Sequence, residues 1–283
     1  MSRRPHSRNF AAMTDQQTRS GARVDAGGIP TYYEVRGAGE PVILLHGGMC
    51  TAETFDAQAS GLAGRHRVYV PERRGHGRTP DVEGPITYEN MADDTIAFME
   101  AVGLESAHLA GWSDGALVGL LVAMRRPELV RKLVLIGQYV NLDGAREDGL
   151  ALMQSFTAAT FPPMFRDMYG AVSPDGPQHF ETVFEKLAPL WRSDPGIALA
   201  DLAGVTSPTL VLVGDDDVVT VEHAAAVARA LPDAQLAIVP GTSHALPMEK
   251  PELVNRLVLD FLADEQPPKM LVISEMLAAM PAR

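Results

Sequence analysis

Short apolar runs alternate along the chain with stretches of helical spacing. "PVILLHGG" is a continuous apolar run ending in glycines, the mark of a strand buried on both faces. "RVYVPE" reads the same way, "SAHLAGW", "RKLVLIGQY", "SPTLVLVGDDD" and "AQLAIVPG" read as strands, and "IPTYYEVRG" reads as a strand entering a Gly turn. "TYENMADDTIAFMEAVGL" has helical spacing through Tyr88, Met91, Thr95, Phe98, Met99 and Val102, and stops near Gly103. "DGALVGLLVAMRRPEL" predicts a mostly apolar helix cut off by Pro127, and "VEHAAAVARALP" and "KPELVNRLVLDFLADE" predict two more. Strand and helix in turn imply an α/β protein, a mostly parallel sheet with helices on both faces. Ligands of such sheets bind at the carboxyl ends of the strands.

The rhythm breaks over residues 141–206. No strand pattern is visible there, and Met153, Phe156, Phe161, Met164, Phe165, Met168, Tyr169, Phe180, Phe184 and Trp191 are interleaved with prolines. This predicts a mainly helical insertion between two core strands. The core is then expected over 21–140 and 207–264, after a flexible N-terminal tail of residues 1–20. Met13 is a second candidate start. Residues 265–283 form an apolar C-terminal extension, expected to pack on the core or on a second subunit, which leaves a homo-oligomer open.

Charge narrows the partners. The formal net charge of −12, with Lys and Arg clustered only at the N-terminus and in "PERRGHGR", argues against nucleic acid. No run approaches the roughly 20 apolar residues of a membrane span. A single cysteine, Cys50, excludes an internal disulfide framework and suits a reducing cytoplasm.

Gly111-Trp112-Ser113-Asp114-Gly115 fits G-x-S-x-G at a predicted strand-to-helix junction. A nucleophile on so tight a turn needs strained backbone, and the flanking residues must be very small because they approach each other. The hydroxyl then stands exposed beside the positive end of a helix dipole. Serine needs a base, and the base needs an orienting acid. Among eight histidines, His244 follows a strand in "PGTSHALPMEKP", just before the last helix, and fits the order serine, acid, histidine. His46 comes too early in that order and is expected to shape its loop. His108 in a strand, His223 on a helix, and His66 and His76 in loops read as structural; His6 lies in the tail and His179 in the insertion. The acid should follow "PTLVLVG", where spacing leaves Asp215, Asp216 and Asp217 all open; Asp143 is a fourth candidate. Two backbone N–H groups should stabilise the oxyanion: that of Asp114, and one from "HGGM", supplied by Gly48 or Met49. "HGGM" lacks the lysine and spacing of a phosphate loop. The Asp114 carboxylate is also a candidate for recognising a cationic substrate group.

"VILLHGG", "PERRGHGRTP", "LAGWSDGALVG", "LVLVGDDDVVT" and "VPGTSHALPMEKPE", in this order and spacing, resemble the α/β-hydrolase superfamily over residues 22–264. The resemblance implies an α/β-hydrolase fold, a mostly parallel doubly wound sheet with a helical cap between the sixth and seventh strands, where 141–206 falls. It places the acid third after the strand-ending glycine, at Asp217, before Val218 and Val219. The elbow "GWSDG" is similar to that of biphenyl-hydrolase-like esterases. Glu72 stands where the family often has Asp, and Thr79 where it often has Ser, both at supporting positions. Serine at the nucleophile position argues against the haloalkane dehalogenase and epoxide hydrolase branches, which use a carboxylate there.

The expected protein is a serine hydrolase with a small-molecule substrate, an ester or lactone of a small, mainly apolar acid, cleaved through an acyl-enzyme. Ser113 attacks, His244 is the base, Asp217 orients it, and no metal or organic cofactor is needed. The alternatives are a carbon–carbon bond hydrolase of a vinylogous diketone and a non-catalytic small-molecule binding or receptor protein.

Overall fold

The computed structural model describes residues 20–264 and 270–271. Its strands are β1 (Ser20–Ala26), β2 (Ile29–Arg36), β3 (Glu40–Leu45), β4 (His66–Pro71), β5 (Ala107–Trp112), β6 (Val130–Ile136), β7 (Thr209–Asp216) and β8 (Ala234–Ser243). They form one sheet in the order β1-β2-β4-β3-β5-β6-β7-β8. The pairs β1–β2 and β2–β4 are antiparallel, and every other pair is parallel. The helices are α1 (Asp56–Leu62), α2 (Tyr88–Ala101), α3 (Asp114–Arg125), α4 (Glu147–Ser155), α5 (Pro163–Val172), α6 (Phe180–Arg192), α7 (Val221–Ala230), the single turn α8 (Leu246–Glu249) and α9 (Pro251–Leu262).

Successive strand residues point to opposite faces, so the continuous apolar strands feed two cores. Val42, Leu44, Val68, Val70, Val134, Ile136, Leu210 and Leu212 pack with α1 and α9. Ile43, Leu45, Leu109, Leu133, Leu135, Val211 and Val213 pack with α2, α3 and α7. The start of α2 has its own signal: Thr87 Oγ1 accepts from Asn90 N–H at 3.1 Å and Asn90 Oδ1 from Thr87 N–H at 3.0 Å, which satisfies two otherwise orphaned donors. It ends before Gly103, whose φ is 73°.

Three local features differ from the sequence reading. β1 is an unpredicted hairpin partner of β2, turned on Gly27 (φ 64°) and Gly28 (φ 88°), a glycine pair suited to the positive φ of a tight hairpin. α1 is too short to stand out by periodicity. His66 begins β4 instead of lying in a loop.

Between β6 and β7 the chain leaves the sheet and forms α4, α5 and α6. Phe161 is the hub of this segment, with ring centroids 5.3 Å from Phe156, 4.9 Å from Phe165, 5.3 Å from Phe184 and 5.6 Å from Trp191. Lys186 on α6 and His179 ahead of it both donate to Asp81 of the core, at 2.6 and 2.8 Å. The expected N-terminal tail, apart from Ser20, which begins β1, and the C-terminal extension, apart from Met270 and Leu271, lie outside the described residues. Among the described residues no helix is long and apolar enough to cross a membrane.

Candidate active site

Ser113 stands where β5 hands over to α3, with φ 55° and ψ −126°, a region a non-glycine residue adopts only when its surroundings impose it. The surroundings are visible. Ser113 N–H donates to the Ile136 carbonyl at 2.9 Å and its carbonyl accepts from Ala116 at 2.8 Å. A Cβ on Gly111 would collide with the Gly115 carbonyl, and one on Gly115 with the Leu45 carbonyl. Both glycines of the motif are thus required by backbone packing, and the serine hydroxyl is left at the sheet's carboxyl edge.

His244 reaches it from the loop after β8. Its Nε2 lies 3.1 Å from Ser113 Oγ, and its Nδ1 lies 2.8 Å from Asp217 Oδ1. A proton on Nδ1 donated to the carboxylate leaves Nε2 free to accept from the hydroxyl. The Asp217 side chain is fully buried and accepts from Val219 N–H at 3.3 Å. The three consecutive aspartates separate by direction: Asp215 accepts from Thr242 N–H at 3.0 Å, whereas Asp216 is exposed and pairs with Arg146 at 2.5 Å. Asp143 sits on an exposed turn on the His223 side.

Two positioning features were absent from the sequence reading. Trp112, the variable residue before the serine, donates its indole N–H to the His244 carbonyl at 2.8 Å, and its ring lies 5.4 Å from the imidazole. Gly137 follows β6 at φ 60°, and a Cβ there would come within 3.1 Å of Asp217 Oδ2 and 3.2 Å of His244 Nδ1. The glycine after "LVLI" was the available signal for the second; nothing in the sequence marks Trp112 as a clamp.

Of the two candidates in "HGGM", Gly48 lines the cavity beside Ser113, while Met49 (φ 56°) buries its side chain in the core. Behind them His46 is buried, and that burial, with the neighbouring Arg73 charge, holds its imidazole well below the usual histidine range. It stays neutral and shapes the loop: Nδ1 lies 2.8 Å from the Gly47 carbonyl, and Nε2 accepts from Arg73 N–H at 3.3 Å. Glu72, also buried, accepts from Ala52 N–H at 3.0 Å and pairs with Arg78 at 2.7 Å, while Thr79 Oγ1 donates to the Glu72 carbonyl at 2.7 Å. The longer acid and the threonine therefore serve as struts beneath the loop.

Among the described residues no other histidine lines the cavity at Ser113. His108 pairs with Glu40 and His179 with Asp81. His66, His76 and His223 are buried in the core, and His76 is pushed down to about 3 by burial and by Arg73. Burial pushes the Cys50 thiol up to about 12, which denies it a thiolate at neutral pH. Among the described residues no three His, Cys, Asp or Glu side chains are grouped so as to hold a metal ion.

A cavity of about 230 Å³ opens on Ser113 and His244. Its roof is Met153, Phe156, Phe161, Phe165 and Trp191 from the β6–β7 segment. Asp114 stands at its edge with the carboxylate buried, accepting from Tyr88 Oη at 2.9 Å and Trp191 Nε1 at 2.9 Å. Its observed partners are thus two neutral donors, one of which ties the cap helix α6 to the residue after Ser113. Trp112 and Phe165 also line a second apolar cavity of about 410 Å³, together with Met164, Met168 and Met248.

Known proteins resemble this chain in sequence and fold. The family model described as the alpha/beta hydrolase family matches residues 42–257. RutD of Azorhizobium caulinodans, provisionally named a carbamate hydrolase, is 28% identical over 254 residues, covering 82% of this chain and 95% of that protein. The human serine hydrolase BPHL is 28% identical over 256 residues, covering 85% and 86%. The solved meta-cleavage product hydrolase CumD of Pseudomonas fluorescens superimposes with a TM-score of 0.71 at 25% identity, covering 85% of this chain and 97% of that one. With a match across most of its length, an eight-stranded sheet of this order and an elbow at Ser113, the chain belongs to the alpha/beta hydrolase family and is a hydrolase.

Proposed function

We propose that the protein is a serine hydrolase that cleaves an ester or lactone of a small, mainly apolar carboxylic acid through an acyl-enzyme. Ser113 Oγ attacks the carbonyl carbon as His244 Nε2 takes its proton. The oxyanion rests on the N–H groups of Gly48 and Asp114. His244 then gives the proton to the leaving alcohol, and Asp217 stabilises the imidazolium between the two transfers. Water, deprotonated by His244, attacks the acyl carbon and releases the acid and Ser113. The observation that carries the reading is the hydrogen-bond chain from Asp217 through His244 to Ser113, opening on a cavity walled by aromatic and Met side chains. No Lys or Arg stands among the described residues lining that cavity, which favours a neutral acyl group over an anionic one.

The likeness to CumD supports a second reading, hydrolysis of a carbon–carbon bond in a vinylogous diketone, with the same three residues. The test is a comparison of kcat/KM across acyl esters of increasing chain length, a lactone panel, a carbamate and a vinylogous diketone, with Ser113→Ala as control. Highest rates on short or medium acyl esters or lactones support the first reading. A diketone preferred by more than tenfold favours the second. Turnover unchanged in Ser113→Ala defeats both.

A further inference from the structure

Arg73 follows β4 and is almost fully buried, at 3% exposure. Its Nη2 donates to the Gly47 carbonyl at 3.2 Å and lies 3.3 Å from His46 Nδ1. Nε and Nη1 have no hydrogen-bond partner among the described residues. A buried cation with open donors is costly, and an apolar side chain in its place would fold more favourably. Among the described residues the Gly47 carbonyl is the one main-chain acceptor it holds. That oxygen also lies 2.8 Å from His46 Nδ1 and accepts from Cys50 N–H at 3.4 Å, so its donors crowd one side of the Gly47–Gly48 peptide.

We propose that Arg73 is a positioning residue for oxyanion stabilisation: it anchors the Gly47 carbonyl from behind the loop and so turns the Gly48 N–H toward the substrate oxygen. The inference rests on the reading above, in which Gly48 N–H binds the oxyanion. In a trans peptide the carbonyl and the following N–H point to opposite sides of the chain. Holding the Gly47 oxygen on the core side therefore aims the Gly48 N–H at the side where Gly48 and Ser113 line the cavity. Glycine at both positions leaves that peptide free to flip when the anchor is absent. Arg73 has a second effect. Among the carboxylates it is Asp114, one residue from the nucleophile, that acts most strongly on its charge. The cation offsets a negative charge that would otherwise oppose the forming oxyanion.

The test compares wild type, Ser113→Ala, Arg73→Met and Arg73→Lys on the fastest ester of the panel. It also measures inhibition by a trifluoromethyl ketone of matching acyl chain, whose hemiketal oxyanion needs the same donors. Arg73→Met is expected to lower kcat by roughly 10²-fold, the scale of losing one oxyanion donor. KM should stay within threefold, and trifluoromethyl ketone affinity should weaken in parallel with kcat. Arg73→Lys keeps the charge without the fork, and should recover part of both. A merely structural role would instead lower the melting temperature and raise KM, leaving the ratio of ketone to substrate affinity unchanged. If Arg73→Met does not fold, Arg73→Lys alone decides, with about a tenfold loss expected in kcat and in ketone affinity. Wild-type kcat and ketone affinity in either folded variant overturns the proposal while Ser113→Ala still abolishes turnover. If Ser113→Ala retains turnover, the acyl-enzyme reading fails, and this inference with it.

Discussion

Below the cavity at Ser113 lie the strand-end turns of the sheet, and above it the wall is side chain from the β6–β7 segment. The floor consists of turns at strand ends, locked by close glycine approaches at Gly111, Gly115 and Gly137 and by main-chain hydrogen bonds such as Ser113 to Ile136. The roof is a cluster of aromatic and Met side chains from α4 to α6, tied to the core at Asp114 through Trp191 and at Asp81 through Lys186 and His179. Reacting atoms need placement within fractions of an ångström, which rigid strand ends supply. An apolar wall needs only volume and shape, which exchangeable side chains supply. Chemistry should therefore be lost steeply by small changes in the floor, and selectivity shifted gently by changes in the roof.

The largest effect should come from the floor. Ser113→Ala, or His244→Ala, is expected to lower kcat by roughly 10⁴- to 10⁶-fold with the melting temperature nearly unchanged, measured by steady-state kinetics and circular dichroism. Asp217→Asn should cost about 10⁴-fold, whereas Asp216→Asn, which removes only an exposed ion pair, should stay within about twofold. The reverse pattern would move the acid to the neighbouring residue.

The roof should answer more mildly. Trp191→Phe keeps the ring and deletes the bond to Asp114, and about a tenfold fall in kcat/KM is expected from loosening α6. The drop should be accompanied by an altered preference among acyl chain lengths. A loss as large as that of Ser113→Ala would erase the contrast between floor and roof.

Smallest in its effect on catalysis, and confined to the core, is a pH dependence of stability. Folded His76 titrates at about 3, against 6.5 for an ordinary histidine. Between those values the unfolded chain binds a proton that the folded one refuses, so stability is full above 6.5 and falls as the pH drops toward 3. Melting temperatures recorded across that window should decline, and less steeply in His76→Gln. Equal slopes would assign the acid sensitivity to other groups.

Much of this was legible in one dimension. Apolar runs ending in glycine marked five of the parallel strands; the four interior ones are apolar because a strand covered on both faces must be, whereas β8 lies at the sheet edge with Leu236 and Ile238 exposed. The elbow was legible for a steric reason, since a nucleophile on that turn tolerates only glycine on either side. The hairpin of β1 escaped because its strand is largely polar, although its glycine pair was a usable signal. The roles of Trp112, Arg73 and Trp191 escaped altogether. Each depends on a contact between residues 26 to 132 positions apart, and no local pattern encodes such a meeting.

From its order of residues alone, this chain determined the alternation of strands and helices, the strained serine turn, and the strand ends that carry His244 and the three aspartates. Those are consequences of local sterics and of the period of hydrophobic burial, and both are written along the backbone. Folding decided which of three adjacent aspartates turns inward, that Gly48 and not Met49 faces the cavity, and that Asp114 holds a cap helix. Side chains one residue apart point in directions set by partners distant in sequence, and only the packed sheet brings those partners within reach.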